Sequence, residues 1–307
     1  MWRACVAIAL IGCGGEPTLA WVSAPPLALG PTQETAAVAV GGKVYVLGGF
    51  NNGAIVPAVQ VFDPATGAWD AGPALPAAVH HATAAAVGDT IYVLGALATP
   101  SFVAVGDTWS WTPGDAAWTV RAPMPAGSER GAAVAGELAG KLVVAGGYRA
   151  RAVTDVAIYD PALDAWTAGP PLPAPRDHAC GAVLDGALYV AGGRDGANAA
   201  TLYELAPGAA AWVERAALPT ARGGTGCGVV GDRLIVAGGE GNPDAPSGVF
   251  AEVEAYTPGA DRWETLAPMP TPRHGMGAAG TGGRLYVPGG ATMQGFGAVA
   301  THEILTP

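Results

Sequence analysis

The sequence predicts an all-β fold built from six similar units of four short strands each. An apolar run that ends in a glycine pair recurs six times, and a proline placed five residues before a tryptophan recurs in phase with it. Each unit contains four β-like runs separated by turn residues, and no helical period. Four strands at a period of about 48 residues are typical of the blades of a β-propeller.

The glycine pairs mark the end of the second strand in each unit. Their first residues are spaced by 47, 51, 46, 46 and 51 residues, and in the second unit Ala96 replaces the second glycine. Glycine permits close backbone approach and a positive φ at the end of a strand. The six positions are Gly48-Gly49, Gly95-Ala96, Gly146-Gly147, Gly192-Gly193, Gly238-Gly239 and Gly289-Gly290.

The proline–tryptophan marker places a large aromatic side chain near the outer edge of each unit, where it can pack between adjacent blades. The first strand of each unit is made of small residues, as in Ala36–Val40, which suits inner strands that crowd around an axis. The five complete markers are Pro64…Trp69, Pro113…Trp118, Pro161…Trp166, Pro207…Trp212 and Pro258…Trp263.

The two ends of the chain complete one unit between them. The sequence ends at Pro307, where a tryptophan is due in five residues, and Trp21 lies near the start. We therefore expect the N-terminal segment to supply the outer strand of the last blade. This pairing gives a ring of six blades closed by the N-terminal strand.

Three features together resemble the kelch repeat: the glycine pair, the aromatic residue that follows it, and the pattern Asp-Pro-x4-Trp. Examples of this pattern are Asp63-Pro64…Trp69 and Asp160-Pro161…Trp166. The resemblance covers essentially residues 17 to 307 and implies a six-bladed kelch-type β-propeller. The departures are modest: Ala96 replaces a glycine, Leu205 replaces the aromatic residue, and alanine or threonine replaces the aspartate at Ala206, Thr112 and Thr257.

Composition and charge exclude some functions. The net charge is −10, so a broad nucleic-acid surface is not expected, because phosphate binding needs clustered positive charge. No apolar run approaches the roughly 18 residues needed to span a membrane as a helix.

The N-terminus has the pattern of an export signal, with Arg3 before a short apolar core. Leu10-Ile11-Gly12-Cys13 resembles the lipobox of bacterial lipoproteins. The predicted division is a signal peptide at 1–12, a tether at 13–20 lipidated on Cys13, and the propeller at 21–307. The expected location is the bacterial cell envelope, at the outer membrane or cell surface. An ordinary signal peptide would instead give a periplasmic or secreted protein.

Two further cysteines, Cys180 and Cys227, occupy the first strands of neighbouring units. Their distances to the following glycine pair differ by one residue, which in a strand turns side chains to opposite faces. On this argument we expect two buried free thiols rather than a disulfide.

The candidate binding face is the one that carries the loops after the outer and second strands, where the kelch resemblance implies ligand binding. Sixteen residues before each glycine pair lies a column that includes four arginines, and polar residues follow both the column and the pairs. Arginine suits carboxylates; alternatively, this column is a structural part of the repeat. The predicted ligand-binding residues are Arg130, Arg176, Arg222, Arg273, His81, His178, Arg194 and Glu240.

The favoured function is a non-catalytic, monomeric binding module for a protein partner or a glycan, possibly anionic, with no metal or cofactor. Galactose-oxidase-like copper chemistry is not expected, because the chain has no Tyr-His pair. The alternative is a carbohydrate-active enzyme resembling the periplasmic sialic-acid mutarotases (N-acetylneuraminate epimerases). In that case the arginines would hold a sugar carboxylate while Glu34, His178 or Glu240 transferred a proton.

Overall fold

The computed structural model describes residues 18–307, so the predicted signal peptide and Cys13 lie outside the described residues. The structure is all-β, with one short 3-10 turn at Pro258–Ala260. In the described part of the chain, no helix is both long and apolar enough to cross a membrane. The strands are β1 (Ala20–Ala24), β2 (Thr32–Gln33), β3 (Ala36–Val40), β4 (Lys43–Leu47), β5 (Phe50–Asn51), β6 (Ala54–Ile55), β7 (Val59–Asp63), β8 (Ala68–Ala71), β9 (Ala84–Val87), β10 (Thr90–Ala98), β11 (Val103–Trp111), β12 (Thr119–Arg121), β13 (Val134–Leu138), β14 (Lys141–Ala145), β15 (Val156–Asp160), β16 (Ala165–Ala168), β17 (Cys180–Leu184), β18 (Ala187–Ala191), β19 (Arg194–Asp195), β20 (Ala197–Asn198), β21 (Leu202–Leu205), β22 (Val213–Arg215), β23 (Gly226–Val230), β24 (Arg233–Ala237), β25 (Val253–Thr257), β26 (Arg262–Thr265), β27 (Ala279–Thr281), β28 (Arg284–Pro288) and β29 (His302–Thr306).

Six antiparallel sheets of four strands make up most of the described chain. In chain order they are sheet 1 (β3, β4, β7, β8), sheet 2 (β9 to β12), sheet 3 (β13 to β16), sheet 4 (β17, β18, β21, β22), sheet 5 (β23 to β26) and sheet 6 (β27, β28, β29, β1). Two small sheets, β2-β5-β6 and β19-β20, are formed by loops. This architecture is consistent with a kelch-type β-propeller.

Sheet 6 combines the two ends of the chain. Strand β1 pairs antiparallel with β29, with Trp21 opposite Leu305. The innermost strand of each sheet contacts the innermost strand of the next one, and β27 of sheet 6 contacts β3 of sheet 1. The innermost strand of each sheet therefore has two such neighbours.

Six apolar clusters fill the spaces between successive sheets. One of them joins Tyr189 and Leu202 of sheet 4 to Leu234 and Tyr256 of sheet 5. Another joins Val44 and Phe62 of sheet 1 to Tyr286 and Ile304 of sheet 6. The core is thus divided into one layer per pair of neighbouring sheets, the sixth layer lying between the last sheet and the first.

A tryptophan on or near the fourth strand of each sheet bonds to the neighbouring sheet. Its indole N–H donates to a backbone carbonyl that follows the fourth strand of the preceding sheet, at 2.8–2.9 Å in all six cases. Trp21 of β1 takes the sixth of these positions, with Ala267 as its acceptor. The six pairs are Trp69–Pro25, Trp118–Pro73, Trp166–Ala122, Trp212–Pro170, Trp263–Ala216 and Trp21–Ala267.

The glycine pairs adopt the positive φ that their position requires. At Gly146 and Gly147 φ is 62° and 113°, and a Cβ added to Gly146 would lie 2.6 Å from the Arg176 carbonyl. In sheet 2, where Ala96 replaces the second glycine, β10 continues past this position through a register shift between Leu94 and Ala96. The result is a longer hairpin whose tip carries Phe102.

Cys180 and Cys227 form a disulfide between sheets 4 and 5, with 5.5 Å between their Cα atoms. The expectation of two free thiols was therefore wrong. Equivalent positions of two strands face the same way within their own sheets, but neighbouring sheets meet through opposite faces. The offset of one residue thus turns the two sulfurs toward each other.

Candidate functional site

One face of the molecule is formed by two sets of loops that pair with each other. In each sheet, the residue after the predicted arginine column pairs with a residue just after the glycine pair position. Examples are Asp177 with Arg194 and Gly223 with Glu240. Equivalent bridges occur at the other sheets. These loops surround the central channel, and we call their inner margin the mouth.

The mouth is bounded by a closed circle of backbone hydrogen bonds. One residue of each sheet takes part in this circle, and it lies two positions after the arginine column. All six of these residues have a φ between 48° and 68°. Each N–H donates to the carbonyl of the equivalent residue in the preceding sheet, at 2.5–3.1 Å, and Glu34 closes the circle by donating to Gly275. The six members are Glu34, His81, Ala132, His178, Gly224 and Gly275.

A chain of charged and imidazole side chains lies on this circle. Glu34 accepts from His81 Nε2 at 2.9 Å and lies 3.7 Å from His274 Nδ1, which is 3.5 Å from Glu240. The other oxygen of Glu240 accepts from Arg194 Nη1 at 2.6 Å. The Arg194 guanidinium also bonds to a second carboxylate, that of Asp177.

Asp177 completes the alternation of acidic and basic groups. It accepts from Arg194 Nε at 3.3 Å and lies 2.6 Å from His178 Nδ1. The ring centroids of His178 and His81 are 4.8 Å apart, so the row of interacting side chains that begins at His81 and Glu34 ends beside His81 again. Each carboxylate of the mouth therefore faces basic or imidazole groups of this chain.

His80 extends the chain outward through an imidazole pair. Its Nδ1 is 2.6 Å from Nδ1 of His81, so one proton is shared between the two nitrogens. Its Nε2 is 3.0 Å from the carbonyl of Thr99, which can only accept, so Nε2 carries a proton. Burial, with the neighbouring His81, lowers the pKa of His80 to about 4.

The electrostatics of the mouth keep Glu34 and Glu240 ionised. Burial alone would raise the pKa of Glu34, but His81, together with His274 and His178, outweighs it and holds this pKa far below its usual range. Glu240 behaves similarly: burial opposes ionisation, but His274 and Arg194 lower its pKa. Burial is also the main cause of the lowered pKa of His178.

The open space at the mouth is small. A cavity of about 110 Å³ is lined by Glu34, His81, His178 and Thr225, among others. A second cavity, of about 140 Å³, continues from it along the channel past the disulfide. Sites for small organic ligands usually span about 300–1,000 Å³. In residues 18–307, no cluster of three or more His, Cys, Asp or Glu side chains has an arrangement suited to a metal ion.

The arginine column does not line the mouth, so the expected placement of these residues was wrong. Arg130, Arg222 and Arg273 have no exposed surface and donate to backbone carbonyls of their own sheets. Arg176 is half-buried and donates to Thr201 Oγ1 at 3.1–3.2 Å. The long side chains lie along their own sheets, toward the second and third strands, because buried backbone carbonyls and carboxylates are available there.

The other four predicted site residues do lie together at the mouth: His81, His178, Arg194 and Glu240. Sequence reasoning did not select Asp177 or His274, and it considered Glu34 only as a proton-transfer residue of the alternative enzyme, although all three follow the column. Glu34 shares with His81 and His178 the position two residues after the column, and this shared position was the available signal. His274 and Asp177 stand one residue earlier.

Comparison with known proteins agrees with this architecture. A model of the KLHDC2/KLHL20/DRC7 kelch-repeats domain matches residues 30–193 and, in a second overlapping alignment, residues 81–290. The chain belongs to the kelch-repeat family. Proteins of this family generally mediate protein–protein interactions.

Individual kelch proteins resemble the chain to different extents. Kelch-like protein terF from Aspergillus terreus is 32% identical over 92% of this chain and 68% of its own length. Kelch-like protein 35 from mouse is 30% identical over 48% of this chain, which spans only 24% of that protein. Beta-scruin from Limulus polyphemus is 44% identical over 17% of this chain and 6% of its own length.

Proposed function

We propose that the six sheets form a closed six-bladed propeller whose mouth face is a non-catalytic binding surface for a protein partner. Closure is supported by the pairing of β1 with β29, by the apolar layer between sheets 6 and 1, and by the bond from Glu34 to Gly275. The closed frame holds the loops after the second and fourth strands of all six sheets on one face, around the mouth.

The observation that carries this proposal is a patch of exposed apolar side chains beside the mouth. Phe296 and Met293 are 64% and 57% exposed, in the loop after the second strand of sheet 6. Val103, the first residue of β11 at the tip of the long hairpin of sheet 2, is 51% exposed. Ring contacts from Phe296 to Phe50, from Phe50 to His80 and from His80 to Phe102 join the two loops. We call Phe102, Val103, Met293 and Phe296 the apolar rim.

Apolar side chains of this kind favour a protein partner over a sugar. Aromatic residues and methionine are enriched in the buried centres of protein interfaces, where a few of them supply most of the binding energy. The charged groups of the mouth already bond to one another, and the cavity is too small for a sugar acid. The geometry therefore gives no support to the mutarotase alternative.

The Phe296→Asp/Val103→Asp double variant tests the role of the rim. We expect proteins that co-purify with the full chain from its source cells to fall at least ~10-fold, because charges at an interface centre cost more than 1.4 kcal/mol. The readout is quantitative mass spectrometry of the co-purified proteins.

Leu163→Asp is the matched control. Leu163 is 73% exposed and lies between the third and fourth strands of sheet 3, on the opposite face. It should leave co-purification unchanged. Partners that are retained by the rim variant, or lost equally with Leu163→Asp, would contradict the proposal.

We propose further that the protein is exported to the bacterial cell envelope, at the outer membrane or cell surface, with lipid on Cys13. The Cys180–Cys227 disulfide supports export, since such bonds persist mainly in oxidising compartments. Mass spectrometry of protein taken from cells in the presence of an alkylating agent should find a lipidated N-terminal Cys13 and unalkylated Cys180 and Cys227. An intact residue 1 with two alkylated thiols would refute export.

A further inference from the structure

Two of the buried arginines bind a glutamate on the third strand of their own sheet. Arg222 pairs with Glu254, and Arg273 lies 3.1 Å from Glu303. The same two carboxylates each accept a threonine hydroxyl at 2.8 Å, from Thr220 and Thr271, two residues before each arginine. A buried guanidinium and a hydroxyl thus form a carboxylate receptor that is repeated in sheets 5 and 6.

Sheet 3 has the same receptor without the carboxylate. Arg130 has no exposed surface and donates to the Val144 carbonyl at 3.0 Å, just as Arg222 donates to Val236. The residue opposite Val144 on the third strand is Ala157, where Glu254 stands opposite Val236. The glutamate side chain is therefore replaced by a methyl group.

The described surroundings of Arg130 supply no carboxylate that bonds to it directly. Its Nε has no hydrogen-bond partner among the described residues, and the nearby Asp155 pairs with Arg149 at 2.8 Å. Ser128 occupies the position of the two threonines, and its hydroxyl donates to the Pro125 carbonyl at 2.6 Å. Burial lowers the pKa of Arg130 to about 10, so the guanidinium still carries its charge at neutral pH.

A cleft opens beside this incomplete receptor. Its volume is about 390 Å³, within the range of small-molecule sites. Arg130, Ser128 and Ala157 are among its lining residues, and its walls include Val156, Trp166 and Pro171. The polar groups of the lining include Arg130, Ser128 and also Asp155, whose charge is paired with Arg149 at 2.8 Å. The walls are apolar.

We propose that this cleft binds a small carboxylic acid with an apolar body, and that its carboxylate occupies the place of the missing glutamate. The carboxylate accepts from Arg130 and from the Ser128 hydroxyl, and the apolar body packs against Trp166 and Val156. Arg130 lines the inner end of the cleft but has no exposed surface in this structure. Binding therefore requires the side chains there to move apart and the Ser128 hydroxyl to leave the Pro125 carbonyl. A buried cation without an anion is unfavourable, so binding relieves an existing cost.

Octanoate and benzoate are the probes, compared with octanamide and benzamide, titrated into the full chain by isothermal calorimetry. At least one carboxylate is expected to bind saturably, and its amide at least ~10-fold more weakly, because the amide carries no charge for Arg130. If neither carboxylate binds, or if each amide binds as well as its acid, the proposal is overturned.

Ala157→Glu supplies the carboxylate from within the chain. This variant is expected to raise the melting temperature and to abolish probe binding. Ala162→Glu, the same change at an exposed position of the β15–β16 loop, should do neither. An Ala157→Glu protein that still binds the acid, or that loses its fold, contradicts the proposal, because sheets 5 and 6 hold a glutamate at this position. The comparison of acid with amide on the unaltered protein does not depend on either variant.

Discussion

Glu254→Ala is expected to lower the free energy of unfolding by about 3–5 kcal/mol, because it leaves a buried guanidinium without its anion. Arg222 has no exposed surface, and the Glu254 side chain is 3% exposed. Water therefore cannot replace the lost carboxylate without opening the sheet. Denaturant unfolding, followed by tryptophan fluorescence, measures the change.

Glu264→Ala is the control for this experiment. Glu264 pairs with Arg233, and the two side chains are 39% and 11% exposed, so water reaches the carboxylate of this pair. We expect its loss to cost about 1 kcal/mol, the upper end of the range for solvent-exposed pairs. The double variant Arg222→Met/Glu254→Leu should recover much of the loss, since buried pairs can be replaced by apolar residues of similar volume. If Glu254→Ala costs no more than Glu264→Ala, the buried pair has no special role in stability.

Loss of the disulfide is expected to cost about 4 kcal/mol, the loop-closure value for a bond that joins residues 47 apart. The Cys180→Ala/Cys227→Ala variant removes the bond while keeping small apolar side chains in a buried layer. Chemical denaturation of the variant and of the parent, each with and without reductant, gives the difference.

Reductant must destabilise the parent and leave the double-alanine variant unchanged. A parent whose unfolding midpoint is the same with and without reductant would show that the bond contributes nothing to stability. Because the bond joins the inner strands of sheets 4 and 5, we also expect its loss to loosen the channel wall between them.

The repeated four-stranded sheets could be predicted because the glycine pair and the tryptophan of each unit each meet one local structural need. Gly146 and Gly147 need a positive φ, and Trp69 or Trp166 needs a carbonyl on the preceding sheet. These requirements recur in every unit, so their spacing alone reveals them. Trp21 could be placed in the last sheet for the same reason.

The destinations of long side chains could not be predicted in this way. Whether an arginine turns to the mouth or to its own sheet depends on the residue that meets it from the third strand, here Ala157, Tyr203, Glu254 or Glu303. The disulfide was missed for a related reason. The faces of Cys180 and Cys227 were compared within equivalent sheets, whereas the contact is between two sheets.

The circle of backbone bonds at the mouth runs in one direction, with the N–H of each residue donating to one neighbour and its carbonyl accepting from the other. A helix leaves unpaired N–H groups at one end and unpaired carbonyls at the other, and so acquires a positive and a negative pole. A head-to-tail loop of six amides has no ends and therefore no poles. The charged side chains of the mouth, among them Glu34, Glu240 and Arg194, therefore shape the electrostatic field at this opening more strongly than the circle of backbone bonds does.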